Sequence, residues 1–398
     1  MYKDIFEAAS SNNLTAVKRF IEVHGIRPRI KNADGDTVAH IATQNDNVDM
    51  LRYLMEIDPD LLHSRGQADS TLLEIAIAVD SLSLVQYLVD DCKVDILKMH
   101  CDQPPPDTYV HFAAEMGNLD IFKYFIEKKP VKVDLHNTWG QPPAFAAARE
   151  AHLNIVKYIV EERNGDVTVT DTLKRNILCQ SAIKSDLTIP RYLLDEKKIR
   201  INVNNPFIIH DAISSSEQSK RKNLDEFLKY FIEEKRMNIN ADAGSDAIPL
   251  HRAANAGMLD VVKYLTHHGA DVRRKDRMGR TPLEVTTDKE IRRYLEDIQG
   301  QRNRRSILEF PSSGIFEPHH PTNGKSTRDV STAIQNSSLA TNITASDSIH
   351  SFLFFANTFF GLIFQKYNNR TQPFPYNSIN SRENTIAVDS VRDYFLDK

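Results

Sequence analysis

Histidine and cysteine are the side chains in this sequence best suited to metal binding, proton transfer or nucleophilic attack. Four histidines, His40, His111, His210 and His251, share one register along the chain, and Cys179 stands in the same register. They fall one to a repeating unit, so they face different loops and do not converge on one ion or one substrate. Hydrogen bonding to neighbouring backbone accounts for such histidines better than ligation does. The adjacent pairs His267–His268 and His319–His320 diverge or stand alone, which is not zinc-site geometry. Cys179 has no assignable base and no electropositive setting, so it reads as a buried thiol. No Gly-rich phosphate loop, His-Glu-x-x-His helix or Gly-x-Ser-x-Gly elbow occurs. The expectation is a protein that is not an enzyme and needs no cofactor or metal.

Composition agrees. The chain has 398 residues, 41% hydrophobic and 26% charged, and a formal charge of −4. These are ordinary values for one long or two shorter globular domains. The charge argues for neither nucleic acid nor a membrane surface as the general partner. Three cysteines, Cys92, Cys101 and Cys179, make no disulfide framework, and the first residues show no secretory signal. A reducing, cytoplasmic setting is expected, which gives the sequons at Asn336, Asn342 and Asn369 little meaning.

What positions these residues is a repeat. Tyr53, Tyr87, Tyr124, Tyr158, Tyr192, Tyr230, Tyr264 and Tyr294 are separated by 34, 37, 34, 34, 38, 34 and 30 residues. A period in this range signals a stacked array. A small residue sits two places after the histidine slot in nearly every unit: Ala8, Ala42, Ala76, Ala113, Ala147, Ser181, Ala212 and Ala253. Pro249 and Pro282 suit a helix start, and Thr37, Thr71, Thr108 and Thr281 suit N-caps. Gly117 and Gly257 suit breaks between helices. Leu259, Val262, Tyr264 and Leu265 form an apolar stripe at helical spacing. No single unit can bury its own face, so stability comes from stacking.

The period, with "PLHRAANAG", "GADV" and "GRTPLE", resembles the ankyrin repeat over roughly residues 2–299, in about nine copies. The resemblance implies an all-α solenoid in which each copy contributes a finger loop and two antiparallel helices. It also implies a concave binding face built from finger tips and the ends of first helices. The copies are divergent. Asp46, Asp80, Ser185 and either Glu150 or Ala151 replace the Gly117 glycine. Ser214–Glu226 is a polar insertion, His100–Asp107 stretches one finger, and Pro190 must kink or shift the start of its helix. Caps are expected at about 1–31 and 277–299. Divergent arrays with a non-repeat tail are also similar to ankyrin effectors of intracellular bacteria, which would place the protein in host cytoplasm; that is analogy alone.

Residues 300–347 read as a disordered linker rich in Ser, Thr, Asn and Pro. Within 348–398, the apolar stretch 351–364 is shorter than the roughly 20 residues of a membrane-spanning helix, and a short amphipathic helix could follow it. It suits docking on the array or a partner, shallow membrane insertion, or one span that drafts in flanking residues. Eleven Lys or Arg against six Asp or Glu lie between Arg273 and Arg305. A solvated cap explains them, and contact with an acidic partner or anionic lipid is the alternative.

The expected function is a scaffold or adaptor that binds another protein. In register, the binding positions are Ala33, Asp34, Asp36, Gln44 and Asn45; Glu115 and Met116; Thr138, Trp139, Gln141, Arg149 and Glu150; and Leu173, Arg175 and Lys184. Trp139, the single tryptophan, falls at a finger tip, either as a binding anchor or packed on the next finger. The alternative function is a membrane-tethered scaffold anchored through 351–364.

Overall fold

The computed structural model describes residues 2–98, 107–128, 131–214, 223–243 and 247–308. All lie in one compact unit, Met1–Gly314; none lies in a second unit, Ile315–Lys398. The stretched finger, most of the polar insertion, the linker beyond 308, the segment 351–364 and the C-terminal helix expectation lie outside the described residues.

Among the described residues there is no β-strand, and the helices fall into nine pairs. They are α1 (Ile5–Ser10) and α2 (Leu14–Glu22), α3 (Val38–Gln44) and α4 (Val48–Ile57), and α5 (Leu72–Ala78) and α6 (Leu82–Gln86). The middle pairs are α7 (Tyr109–Met116) and α8 (Leu119–Lys128), α9 (Pro143–Glu150) and α10 (Leu153–Lys157), and α11 (Ile177–Ala182) and α12 (Thr188–Arg191). The last are α13 (Phe207–Ser214) and α14 (Leu224–Lys229), α15 (Pro249–Asn255) and α16 (Leu259–His267), and α17 (Pro282–Val285) and α18 (Lys289–Leu308). Each odd helix packs against the next odd helix, and α6, α8, α10 and α12 run as a second row. The eight small residues that repeat two places after the histidine slot are all 1% exposed or less. They form the close seam along which the odd helices touch.

Of the threonines expected as N-caps, Thr71 caps its helix with its side chain, whereas the Thr37 and Thr108 hydroxyls bond to Nδ1 of His40 (2.8 Å) and His111 (2.9 Å). Thr71 and Glu74 exchange bonds at the start of α5: the Glu74 N–H donates to Thr71 Oγ1 (3.1 Å) and the Thr71 N–H to Glu74 Oε2 (2.5 Å). At α17 the Thr281 N–H (2.6 Å) and hydroxyl (2.9 Å) both donate to Glu284 Oε2. Pro190 lies in the first turn of α12, where its missing N–H has no helical acceptor to lose. The helix begins one residue later than its counterparts, as the proline requires. The C-terminal helix α18 runs through Gly300 to Leu308, so helix crosses the expected boundary between array and linker.

Four outer helices end in a π turn that the periodicity alone did not announce. It spans Tyr87–Asp91, Tyr158–Glu162, Tyr192–Glu196 and Tyr230–Glu234. Each has one more residue between its Tyr and the buried Val or Ile that follows the helix (Ile96, Val167, Ile201, Ile239) than separates Tyr264 from Val272. The extra residue is absorbed in the helix, as in the Arg163 N–H to Tyr158 carbonyl bond across five residues (3.2 Å).

The missing glycines did not change the turn between helices. Asp46 (φ 56°), Asp80 (φ 56°), Ala151 (φ 65°) and Ser185 (φ 51°) hold the left-handed conformation of Gly117 (φ 78°). Ala151, and not Glu150, is therefore the equivalent residue. A β-carbon in this region is strained, and alanine has no side-chain hydrogen bond to offset it. Ala151→Gly is expected to stabilise the protein by about 0.5–1 kcal/mol, read as a higher urea midpoint. An unchanged or lower midpoint would show that the strain is not there.

Candidate functional site

Four of the described fingers are each built by one Asn or Asp at the base, Asn32, Asn137, Asp171 and Asp276. Asn137 Oδ1 accepts from the Trp139 N–H (3.0 Å) and the Gln141 N–H (2.9 Å). Asp171 Oδ1 takes the N–H groups of Leu173 and Arg175 (both 2.9 Å), and Asp276 Oδ1 those of Met278 and Arg280 (both 2.9 Å). Asn32 does the same for Asp34 (3.0 Å) and Asp36 (2.8 Å). The side chain thus reinforces the backbone bond that closes each of these fingers, from the N–H of the base residue to the carbonyl four residues on (2.9–3.0 Å). Fingers are tied to each other: the Thr172 N–H donates to the Trp139 carbonyl (2.9 Å), Asn137 Nδ2 to Asp107 Oδ1 (2.5 Å) and Gln141 Nε2 to Asp171 Oδ2 (2.9 Å).

These ties divide the positions expected to bind. Ala33, Asp34, Thr138 and Leu173 are exposed, and Trp139 is half-buried. Asp36 and Gln141 are buried. The Asp36 carboxylate accepts from Gln44 Nε2 (3.0 Å) and the Gln67 N–H (2.7 Å). Asp36, Gln44 and Gln141 thus spend their polar groups inside the stack. Asn45 donates to the Ala9 carbonyl (3.2 Å). Glu115, Met116, Arg149, Glu150, Arg175 and Lys184 are half-buried.

Trp139 and Leu173 sit at equivalent tips of adjacent fingers. Below them, at the ends of α9 and α11, Glu150 and Lys184 form an ion pair. Burial works against the charge of Arg149, but Glu115, Asp107 and Glu150 more than offset it and hold the guanidinium protonated. Arg175 pairs with Asp211 (3.9 Å) and lies over the Phe207 ring (5.3 Å). The Ala33–Asn45 group belongs to the second copy and does not join this cluster.

A second polar cluster was not expected. His210 Nδ1 accepts from Arg252 Nε (2.6 Å), and Arg252 also donates to Ser214 Oγ (2.7 Å). Burial and Arg252 lower the His210 pKa to about 3, so it is a neutral acceptor. Burial pushes Asp211 up to about 6 against the pull of Arg175 and Arg252. A signal did exist: Gln180, Asp211 and Arg252 follow the histidine slot, where Ile41, Ile75, Phe112 and Ala146 stand in other copies.

His111 and His251 meet the expectation of bonding finger backbone, through Nε2 to the Gln141 and Arg280 carbonyls (both 3.0 Å). Cys179 is fully buried, its Sγ beside Asn176 Oδ1 (3.3 Å), and burial raises its pKa well above the usual thiol range. Among the described residues no group of three or more His, Cys, Asp or Glu is placed to hold a metal ion. No helix among them is long and apolar enough to cross a membrane.

A family model described as ankyrin repeats (3 copies) matches residues 5–100, 110–205 and 209–298. Alpha-latrocrustotoxin-Lt1a of Latrodectus tredecimguttatus is 26% identical over 155 residues, covering 36% of this chain and 11% of the toxin. The match thus spans about a tenth of that relative's length. Among solved structures, the human ASB11 ankyrin repeat domain is similar at 16% identity and a TM-score of 0.35, covering 74% of this chain and 97% of that one. The ankyrin repeat domain of Bcl-3, an IkappaB-family protein, is similar at 20% identity and a TM-score of 0.33, covering 66% and 99%. With the family model matched over most of its length and the helix pairs in register, this chain belongs to the ankyrin-repeat family.

Proposed function

We propose that the array binds a partner protein, as a scaffold or adaptor without catalytic activity, through the tips and concave face of the fifth and sixth copies. Ankyrin repeats are in general protein-interaction modules. The observation that carries the choice of site is the Trp139–Leu173 pair: a half-buried indole and a 38% exposed leucine on adjacent fingers joined by a backbone hydrogen bond. Aromatic anchors on rigid supports are the commonest binding hot spots, and the Asx-held fingers supply that rigidity. Arg149 and the Glu150–Lys184 pair form the polar rim. Ala33, Asp34 and Asn45 are a separate patch that the same partner would have to span to use.

Trp139→Ala is expected to weaken binding of a captured partner by about 2 kcal/mol, roughly thirtyfold, and to leave the melting temperature nearly unchanged. Trp139 is the single tryptophan, so its emission reports one place. It should shift to the blue and resist iodide quenching when the partner binds. Undiminished binding by the variant, or a clear loss of stability, would assign the indole to packing between fingers.

A further inference from the structure

The last finger differs from the other described fingers in charge and in exposure. Between Asp271 and Arg280 stand five cations, Arg273, Arg274, Lys275, Arg277 and Arg280, and two carboxylates. All five cations are exposed. Both carboxylates are engaged by the finger itself. Asp271 Oδ1 accepts from the Arg273 N–H (2.9 Å), and Asp276 holds the tip backbone and pairs with Arg280 (2.9 Å). At the tip, Met278 is 76% exposed, more than any other large hydrophobic residue among those described. Gly279 turns the chain behind it (φ 76°), and nothing stands within 4 Å of where its β-carbon would be. Arg292 and Arg293 on α18 are exposed as well.

We propose that this finger docks on an anionic lipid surface, its cations on the headgroups and Met278 in the interfacial layer. Each Lys or Arg held near an anionic membrane adds attraction that salt screens, and an apolar side chain among them gains by leaving water. A nucleic acid would attract the same cations, but it leaves the exposed Met278 in water, whereas the interfacial layer of a membrane takes it up. An extended acidic peptide needs a groove to lie in, and a single protruding tip is not one. Because the cations cluster in one finger at the end of the stack, attraction would also orient the array on the surface. The site is separate from Trp139 and does not depend on it.

The test is co-sedimentation of the full chain with vesicles of phosphatidylcholine alone and of phosphatidylcholine mixed with phosphatidylserine. Binding is expected on the mixed vesicles, weakening as salt rises. Arg274→Glu combined with Lys275→Glu should lower it by about thirtyfold or more, and Met278→Asp should lower it too, both without change in the thermal melt. Equal binding to both vesicle types, or undiminished binding by the double variant, overturns the proposal and moves the contact elsewhere, as to 351–364. So does binding of duplex DNA or polyglutamate at the same salt with no binding to vesicles.

Discussion

Acidification from pH 7 to about pH 5 is expected to destabilise the array, ahead of the range in which surface carboxylates protonate. His40, His111, His152, His210 and His251 all have lowered pKa values, and burial is the first cause for each. A histidine whose folded pKa lies below its unfolded value leaves stability untouched above about 6.5. It costs stability as pH falls below that, because the unfolded chain takes the proton first. His210, with a folded pKa of about 3, would cost roughly 2 kcal/mol by pH 5. Asp211 acts with the opposite sign: held at about 6, it takes up its proton in the folded state first and returns roughly 1 kcal/mol over the same interval. The other four imidazoles add to the loss. The measurement is the thermal melt as a function of pH, and two variants separate the contributions. His210→Gln keeps an acceptor for Arg252 without titrating and should flatten the pH dependence; Asp211→Asn should steepen it. A melting temperature level from pH 7 to pH 5, or variants that shift the slope the same way, would contradict the assignment.

The repeat was legible because its markers are local. The Tyr spacing, the small residue after the histidine slot and the Thr caps each follow from one helix's needs, and nine pairs appear where about nine copies were expected. The spacings of 37 and 38 contain the stretched finger and the polar insertion. Less legible were features set by a neighbour some thirty residues away. Asp36 and Gln141 share a register with binding positions of the family, yet their side chains serve Gln67 and Asp171 of the following fingers. Nothing local marks this, since the partner's identity is decided in another copy. The π turns were written in the sequence as one extra residue, but whether a helix or a loop takes up an insertion depends on packing. Here Tyr87, Tyr158, Tyr192 and Tyr230 remain buried on one side of the turn and Ile96, Val167, Ile201 and Ile239 on the other, so the helix widens between them.

Tyr158→Ala is expected to cost about 4 kcal/mol, the range for emptying a buried aromatic site, whereas Tyr158→Phe should cost about 1 kcal/mol through its hydroxyl bonds. The repeating tyrosine is the tie between outer helices. Tyr158 is 2% exposed. Its hydroxyl donates to Glu127 of the preceding copy (3.1 Å) and accepts from Arg163 Nε (2.6 Å). Lys123, also of the preceding copy, lies over the ring (4.9 Å), and Phe122 meets it edge-on (6.0 Å). The wiring recurs: Tyr53 reaches Glu22, Tyr192 reaches Glu161, Tyr230 reaches Asp195 and Tyr264 reaches Glu233, at 2.9–3.0 Å. Lys18, Arg52, Lys157 and Arg191 lie over the tyrosine ring of the next copy. The acid three places after one tyrosine and the cation before it thus serve the next, which gives the sequence its recurring "KYIVEE" and "RYLLDE". In a one-dimensional array each copy is stabilised mainly by its neighbours, so a defect at the fourth-to-fifth junction should weaken the coupling across it. Hydrogen exchange should lose protection first in α8 and α10, and the melt of Tyr158→Ala should broaden or divide into two steps. A single sharp transition with a loss below about 1 kcal/mol would mean that the seam of small residues between odd helices, and not the tyrosine row, carries the coupling.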